Sequence, residues 1–343
     1  MDKTFYIIKP EAFNQRDNIR KDILNSGLSI TESKILALSS SDTAHLSVQD
    51  MLYTKDKKLS QAYDYFLRQG LVEVGVISGS DVISKFKDVC GSHYDPCECP
   101  LNTLRSKYGH FESSFYQDRE FYLNGVHKSS NEIEASYELD YYYEVLKFRT
   151  LEQSISELAQ RYYTQIIDVN PNSEYVSELE TLWSCHVLPV VKYCKIISDR
   201  VQHDPKISVI SGYFHDIGRI TQDTREDHEQ LSINLLNDYL FQLGALDTTI
   251  SQVETTIRNH RSNITQRIDL DSKILASADG IANINYLPLL FYSAYRKHQL
   301  PIVSGFFKVK DKMDRSWSKI VPEFRDLAVD NYTLFNSMLT RFD

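Results

Sequence analysis

Six residues stand in order along the second half of the chain: His186, the adjacent pair His215-Asp216, His228, His260 and Asp279. Each lies on or beside an apolar stretch with helical spacing. Trp183, His186, Val187, Val190, Val191 and Cys194 recur at steps of one to four that keep to one helix face. Val209, Ile210, Tyr213 and Phe214 lead into His215-Asp216 and predict that the pair sits on an apolar helix. Ile250, Val253 and Ile257 lead to His260, and Asp279 borders the stripe of Ile274, Ala278 and Ile281. A buried carboxylate without a partner is costly, and coordination removes that cost. Any one of these histidines is most simply a satisfied core residue. The whole ordered set instead predicts an all-helical region whose helices converge on one or two divalent ions. Mixed imidazole and carboxylate ligation suits Mn, Fe or Mg, and also Zn.

The rest of the composition sets bounds. A chain of 343 residues predicts two domains more readily than one. Its net charge of −9 argues against broad nucleic-acid binding, while a local basic pocket for a phosphorylated substrate remains compatible. No run of 18 apolar residues occurs, so no membrane span is expected, and the opening Met-Asp-Lys-Thr-Phe-Tyr does not read as a signal peptide; a cytoplasmic location is the expectation. The five cysteines are odd in number and irregularly spaced, which predicts reduced thiols, Cys97-Glu98-Cys99 included.

The first half alternates strand and helix signals. Thr4 to Ile8 reads as a short buried strand stopped by Lys9-Pro10, and Asp17 is placed to cap a helix that ends at Gly27. A second strand is expected from Leu28 to Leu38 and a third from Leu71 to Ile77. A helix is expected to start at Gly79-Ser80-Asp81, a fourth strand at Phe121-Tyr122-Leu123, and a further helix near Asn131. This order predicts a ferredoxin-like α/β sandwich. From Tyr141 to Gln165 the pattern is helical, with Leu151, Ile155 and Leu158 on one stripe, until Asp168 to Ser173 breaks it. The division expected is a sandwich over residues 1–145, a helical linker over 146–174, and a helical bundle over 175–343. The fold class is thus α+β.

Four motifs in the first half carry chemistry: Tyr6-Ile7-Ile8-Lys9-Pro10-Glu11-Ala12-Phe13, then Thr103-Leu104-Arg105, then Asn124-Gly125-Val126-His127-Lys128-Ser129, then Glu138. A carboxylate that holds one imidazole nitrogen raises the nucleophilicity of the other. On these motifs, residues 1 to about 140 resemble nucleoside diphosphate kinases. The resemblance implies a phosphorylated histidine at His127 oriented by Glu138, a Mg-nucleotide, phosphate contacts from Lys9, Arg105 and Ser129, and a ribose contact from Asn124. It also implies a second phosphate-binding residue at Lys87 and a stacking tyrosine, for which Tyr53 is the candidate, and it suggests a homo-oligomer. The chain departs from the pattern at Lys128, where a Gly is expected, at Lys87, where an Arg is expected, and at His93, where a Thr is expected. Lys for Arg keeps the charge and loses the bidentate fork.

The second half, over roughly residues 175 to 340, resembles the HD-domain metal phosphohydrolases through His186, His215-Asp216-Ile217-Gly218-Arg219, His228, His260 and Asp279. The resemblance implies that His186, His215, Asp216 and Asp279 hold one metal. His228 and His260 then hold a second or contact the scissile phosphate, Asp216 bridges, and Arg219, four residues past His215, meets a substrate phosphate. The function expected is a metal-dependent phosphohydrolase acting on a nucleotide or related phosphoester, beside a domain that binds nucleotide and transfers phosphate through His127. Two alternatives share the ligand pattern: a diiron oxygenase of the HD type, and a non-catalytic nucleotide sensor.

Overall fold

The computed structural model describes residues 2–46, 57–116, 119–164, 174–221, 228–261 and 267–339. Tyr53 and the break at Asp168 to Ser173 lie outside the described residues. The chain divides into two compact units, Met1–Arg161 and Tyr162–Asp343. The Leu151–Tyr163 helix runs through the division.

The first unit is built on a four-stranded antiparallel sheet: β1 (Lys3–Ile8), β2 (Ser29–Ala37), β3 (Leu71–Ser78) and, after a small hairpin of β4 (Ser114–Tyr116) and β5 (Arg119–Phe121), β6 (Val126–Lys128). The order across the sheet is β2-β3-β1-β6, with helices between the strands, which is the ferredoxin-like arrangement expected. Alternation along β1 feeds two cores. Phe5 and Ile7 join Val72, Val74, Val76, Tyr63 and Tyr142 on one face. Tyr6 and Ile8 join Ile19, Ile23, Val82 and Phe86 on the other. Gly75 on β3 lies against the irregularity at Ile30/Glu32, and a Cβ there would come within 2.2 Å of the Glu32 carbonyl oxygen, so the pairing requires glycine.

Three expectations need correcting. The fourth strand is Val126–Lys128 rather than Phe121-Tyr122-Leu123; Phe121 ends the hairpin strand β5. The first helix starts at Arg16 with Gln15 at its cap, so Asp17 sits in the first turn and makes no cap hydrogen bond. The Tyr141 to Gln165 stretch is two helices, Glu132–Glu144 and Leu151–Tyr163, separated by a 3-10 turn at Leu146–Phe148. Gly27, at φ +81°, does end the first helix as expected.

The second unit is helical throughout its described residues. Its centre is the Leu270–Asn285 helix, buried from Ile274 to Ile284, against which the Leu188–Arg200, Lys206–Phe214 and Ile302–Lys319 helices pack. Small residues make close approach feasible: a Cβ on Gly280 would come within 2.6 Å of the Ser316 carbonyl oxygen. That closeness sets the Ile302–Lys319 helix directly over Asp279. Among the described residues no single helix is long and apolar enough to cross a membrane.

Candidate functional sites

The first site hangs on strand register. Tyr6, Ile7 and Ile8 on β1 pair with Lys128, His127 and Val126 on β6. Cross-strand partners share a face, so His127 enters the core beside Phe5 and Tyr63, while Lys128 faces the opposite side. His127 Nε2 lies 2.5 Å from Glu138 Oε1, and the other Glu138 oxygen accepts from Ser129 Oγ at 2.6 Å. A carboxylate only accepts, so Nε2 carries the proton and Nδ1 keeps its lone pair. Tyr63 hydroxyl is 3.2 Å from that Nδ1. Glu138 is placed by its helix, whose cap Asn131 accepts from the Glu134 amide at 3.0 Å.

The phosphate candidates gather around the same strand. Lys9 N–H bonds the Gly125 carbonyl at 2.9 Å, which ties the end of β1 to the start of β6. Lys9 Nζ donates to Asn124 Oδ1 at 2.7 Å and lies 5.1 Å from the centre of the Tyr63 ring. Arg105 is anchored to Val126 O through Nε and Nη2 at 3.3 Å and to His93 O through Nη1 at 2.7 Å. Lys9, Asn124, Ser129 and Glu138 are therefore assembled with His127, while Arg105 is held on the Val126 and His93 carbonyls. Lys87 is exposed on the Val82–Cys90 helix, where it lines a cleft with Ser84, Ser130 and Asn131. Burial lowers the pKa of Lys128, and the Arg105 charge lowers it further. The tyrosine that meets His127 among the described residues is Tyr63. It was passed over because its helix reads as an ordinary amphipathic segment.

The second site is assembled from irregular backbone. His186 lies in a π-helical turn, Trp183–Val187, that interrupts two α-helices. The Lys206–Phe214 helix stops at His215, so His215-Asp216 occupies a turn after the helix and not the helix itself. The cause is tertiary: a Cβ on Gly218 would lie 1.9 Å from the His228 carbonyl oxygen, and Gly218 N–H donates to Ser232 Oγ at 2.8 Å. A continued helix would drive the chain through the start of the His228–Gln242 helix. His260 follows its helix, Asp247–Arg258, in a turn held by Arg267, which donates to the carbonyls of Asn259, His260 and Arg261.

The ligand atoms converge. His186 Nε2 is 3.3 Å from His215 Nε2, 3.7 Å from Asp216 Oδ2 and 3.6 Å from Asp279 Oδ1. His228 Nε2 is 3.6 Å from Asp216 Oδ1, and the His215 and His260 rings are 5.3 Å apart. His215 Nδ1 bonds Gly212 O at 2.8 Å, and His260 Nδ1 bonds Ile257 O at 2.6 Å. A carbonyl can only accept, so both rings are protonated at Nδ1 and turn a bare Nε2 inward, the tautomer a metal requires. Burial lowers the pKa of His215, and lowers that of His260 to about 3 with help from His215. Burial works to raise Asp216, but His215, the Arg219 guanidinium and a hydrogen bond from His186 outweigh it and hold its carboxyl well below the usual range. In Asp279, burial is likewise outweighed by Lys319, His186 and Lys312. The donor set of imidazoles and ionised carboxylates fits a divalent ion.

Arg219 stands where the turn places it. Its Nε bonds Asp216 Oδ1 at 2.8 Å, and its side chain is 56% exposed. The shared helix face with His215 that the spacing implied is absent, because the helix ends between them. Two lysines of this site were not singled out from the sequence. Lys319 is buried in an ion pair with Asp279 Oδ2, and Asn283 steadies Asp279 Oδ1 at 2.6 Å. Lys312 precedes Lys319 by two turns on the same helix. Their helix is charged along its length, so its spacing does not separate these two lysines from the rest.

Two family models match separate stretches of the chain. The family model for nucleoside diphosphate kinase matches residues 2–148, and the HD domain model matches residues 183–284. A nucleoside diphosphate kinase of Wolbachia pipientis wMel is 29% identical over 112 residues, which cover 32% of this chain and 76% of that protein. Among solved structures, a nucleoside diphosphate kinase from Borrelia burgdorferi with vanadate and ADP is 19% identical, covers 44% of this chain and 89% of its own, and has a TM-score of 0.35. The enzyme from Aquifex aeolicus is 20% identical, with 42% and 96% covered and a TM-score of 0.35. The chain thus joins a nucleoside diphosphate kinase domain to an HD domain.

Proposed function

We propose that the second unit is a metal-dependent phosphohydrolase acting on a nucleotide or a closely related phosphoester. The observation that carries this reading is the convergence of His186, His215, Asp216 and Asp279 in one pocket, with Arg219 paired to Asp216 and Lys319 paired to Asp279. His186, His215, Asp216 and Asp279 would hold one divalent ion, which supplies Lewis acidity towards a phosphoryl oxygen. Asp216 faces both His186 and His228, so it is placed to be shared if a second ion binds at His228. His260 presents a neutral imidazole to the same pocket, where it orients the substrate or a second ion. Arg219 can exchange its bond to Asp216 for a substrate oxygen once a metal neutralises that carboxylate.

In the first unit we assign nucleotide binding and phosphotransfer through His127. Its Nδ1 lone pair attacks the terminal phosphorus of a nucleoside triphosphate. An N–P bond forms, the P–O anhydride bond breaks, and the diphosphate leaves; attack by a second diphosphate reverses the step. Glu138 holds the Nε2 proton throughout and stabilises the charge that develops on the ring. Tyr63 must yield its contact with Nδ1 for this to proceed. Lys9, Arg105, Asn124 and Ser129 provide the phosphate and ribose contacts, with Mg carried in on the nucleotide. The lone Lys87 lies on the cleft side and leaves this site with one fewer cation.

The test is chromatography of products after incubation with nucleoside mono-, di- and triphosphates plus Mn or Mg. Release of phosphate or a phosphate chain from one class, abolished by Asp216→Ala, supports the hydrolase. Exchange of phosphate between di- and triphosphates, abolished by His127→Ala, supports the kinase. Iron-dependent oxygen uptake without phosphate release would replace the hydrolase by an oxygenase, and tight binding without turnover would leave a sensor.

A further inference from the structure

Glu134 stands one turn before Glu138 on the Glu132–Glu144 helix, so it shares the helix face from which Glu138 reaches His127. The three residues make a triad: a ligand atom from each of His127, Glu134 and Glu138 lies within 4.8 Å of the other two. All three are buried, at 7%, 5% and 1% exposure, which separates them from a solvated acidic cluster. Each carboxylate is already oriented through one oxygen. Glu138 Oε2 accepts from Ser129 Oγ at 2.6 Å, and Glu134 Oε2 accepts from the Ser130 N–H at 2.6 Å. Carboxylates steadied in this way beside an imidazole supply both the ligand type and the outer support that a transition ion needs. Phosphotransfer through His127 gives Glu134 no part.

We propose that His127, Glu134 and Glu138 form an inhibitory site for a transition ion of the zinc class. This rests on the phosphotransfer reading and adds regulation at the same histidine. The ion enters between Nε2 and the carboxylates. The His127–Glu138 contact opens and Glu134 closes by about 1 Å each, because ligand atoms around a tetrahedral ion stand about 3.5 Å apart. Coordination at Nε2 needs a lone pair there, so the ring proton leaves Nε2 and is taken up again at Nδ1. The Nδ1 lone pair that attacks phosphorus is then gone. Tyr63 fits either state: its hydroxyl, 3.2 Å from Nδ1, donates to the bare nitrogen and accepts from the protonated one. Magnesium does not trigger the change, since it prefers oxygen ligands and stays with the nucleotide.

Phosphate exchange between a nucleoside triphosphate and a diphosphate is followed in the full-length chain, with excess Mg and buffered free zinc. Zinc is expected to stop the exchange, and a zinc-selective chelator to restore it. Glu134→Gln keeps an oxygen for the Ser130 N–H, so its exchange without zinc should match that of the parent chain. It should need at least roughly tenfold more zinc for the same inhibition, the least that loss of a ligand costs. Equal zinc sensitivity in the two chains overturns the proposal, because zinc then acts on the nucleotide or elsewhere on the protein. A second readout needs no turnover. Cobalt, titrated by its visible absorption, should saturate the parent chain with one ion more than it does Glu134→Gln, and equal numbers overturn the ion site. The phosphotransfer reading fails separately: a parent chain that never exchanges phosphate removes the kinase, and a cobalt difference then leaves the ion site standing.

Discussion

The two candidate sites place their histidines by opposite means. His127 sits in the middle of a three-residue strand, and its position follows from register with Ile7. Three histidines of the second unit sit where helices fail: a π turn at His186, a helix stop at His215 and a post-helix turn at His260; His228 instead opens a regular helix. A regular element aims one side chain accurately, which suits a lone nucleophile. Helix ends and bulges can turn several side chains towards one point, which suits a polydentate ion. The regular site depends on one second residue, Glu138, whereas the irregular site needs a collar of supporting bonds from Gly212, Ile257, Asn283 and Arg267.

The largest expected effects break the comparison outright. Asp216→Ala should reduce phosphate release by more than the roughly 10–100-fold that losing even an outer partner of a metal ligand costs. Metal content measured by mass spectrometry should fall with it, while phosphate exchange through His127 persists. In the first unit, Glu138→Gln should slow that exchange by about a hundredfold without touching the hydrolase, as measured by stopped-flow with labelled nucleotide. A variant that silences both activities would show that the sites do not work independently.

Next in size is stability. Lys319→Ala leaves Asp279 buried without its cation, which should cost about 3–5 kcal/mol in metal-free protein. Adding Mn or Mg should restore much of the loss, because the ion replaces the ammonium; calorimetry with and without metal reads both. The pH response is smaller and has a definite sign. His260 binds its proton less readily folded, at about 3, than unfolded, at its ordinary 6.5. The unfolded chain therefore takes up more protons between those values, and stability falls as pH drops from 6.5 towards 3. Melting temperatures of metal-free protein should show this slope, and His260→Gln should flatten it. The smallest effect sharpens the regular side: Asn131→Ala removes the cap of the helix bearing Glu138 and should cost about 1 kcal/mol.

Much of both sites was readable because their chemistry is spaced along the chain. The 11-residue interval from His127 to Glu138 returns as a 2.5 Å contact, and His186, His215 and Asp216 of the ordered His/Asp series return as a cluster. Three of the four main strands were readable from their apolar runs. β6 was not, because an edge strand of Val126, His127 and Lys128 has no hydrophobic pattern, and the neighbouring Phe121-Tyr122-Leu123 looked better. The end of the helix at His215 was hidden for a different reason. No helix breaker stands between Phe214 and Ile217, and the stop arises from contact with a segment that follows later in the chain. Tyr63 and Lys319 do not stand out because a tyrosine or lysine on an amphipathic helix has no local signature. Only packing decides whether it faces water or a ligand.

The contact between Gly218 and the His228 carbonyl makes position 218 a spacer gauge of zero thickness. Here the turn carrying His215-Asp216 and the start of the His228 helix touch backbone to backbone, with no side chain between them to yield. A single added methyl would act as a shim, prising His228 from Asp216 while leaving His186 and Asp279 on their own helices. The span between His228 and Asp216 is therefore governed by a residue that touches neither side chain.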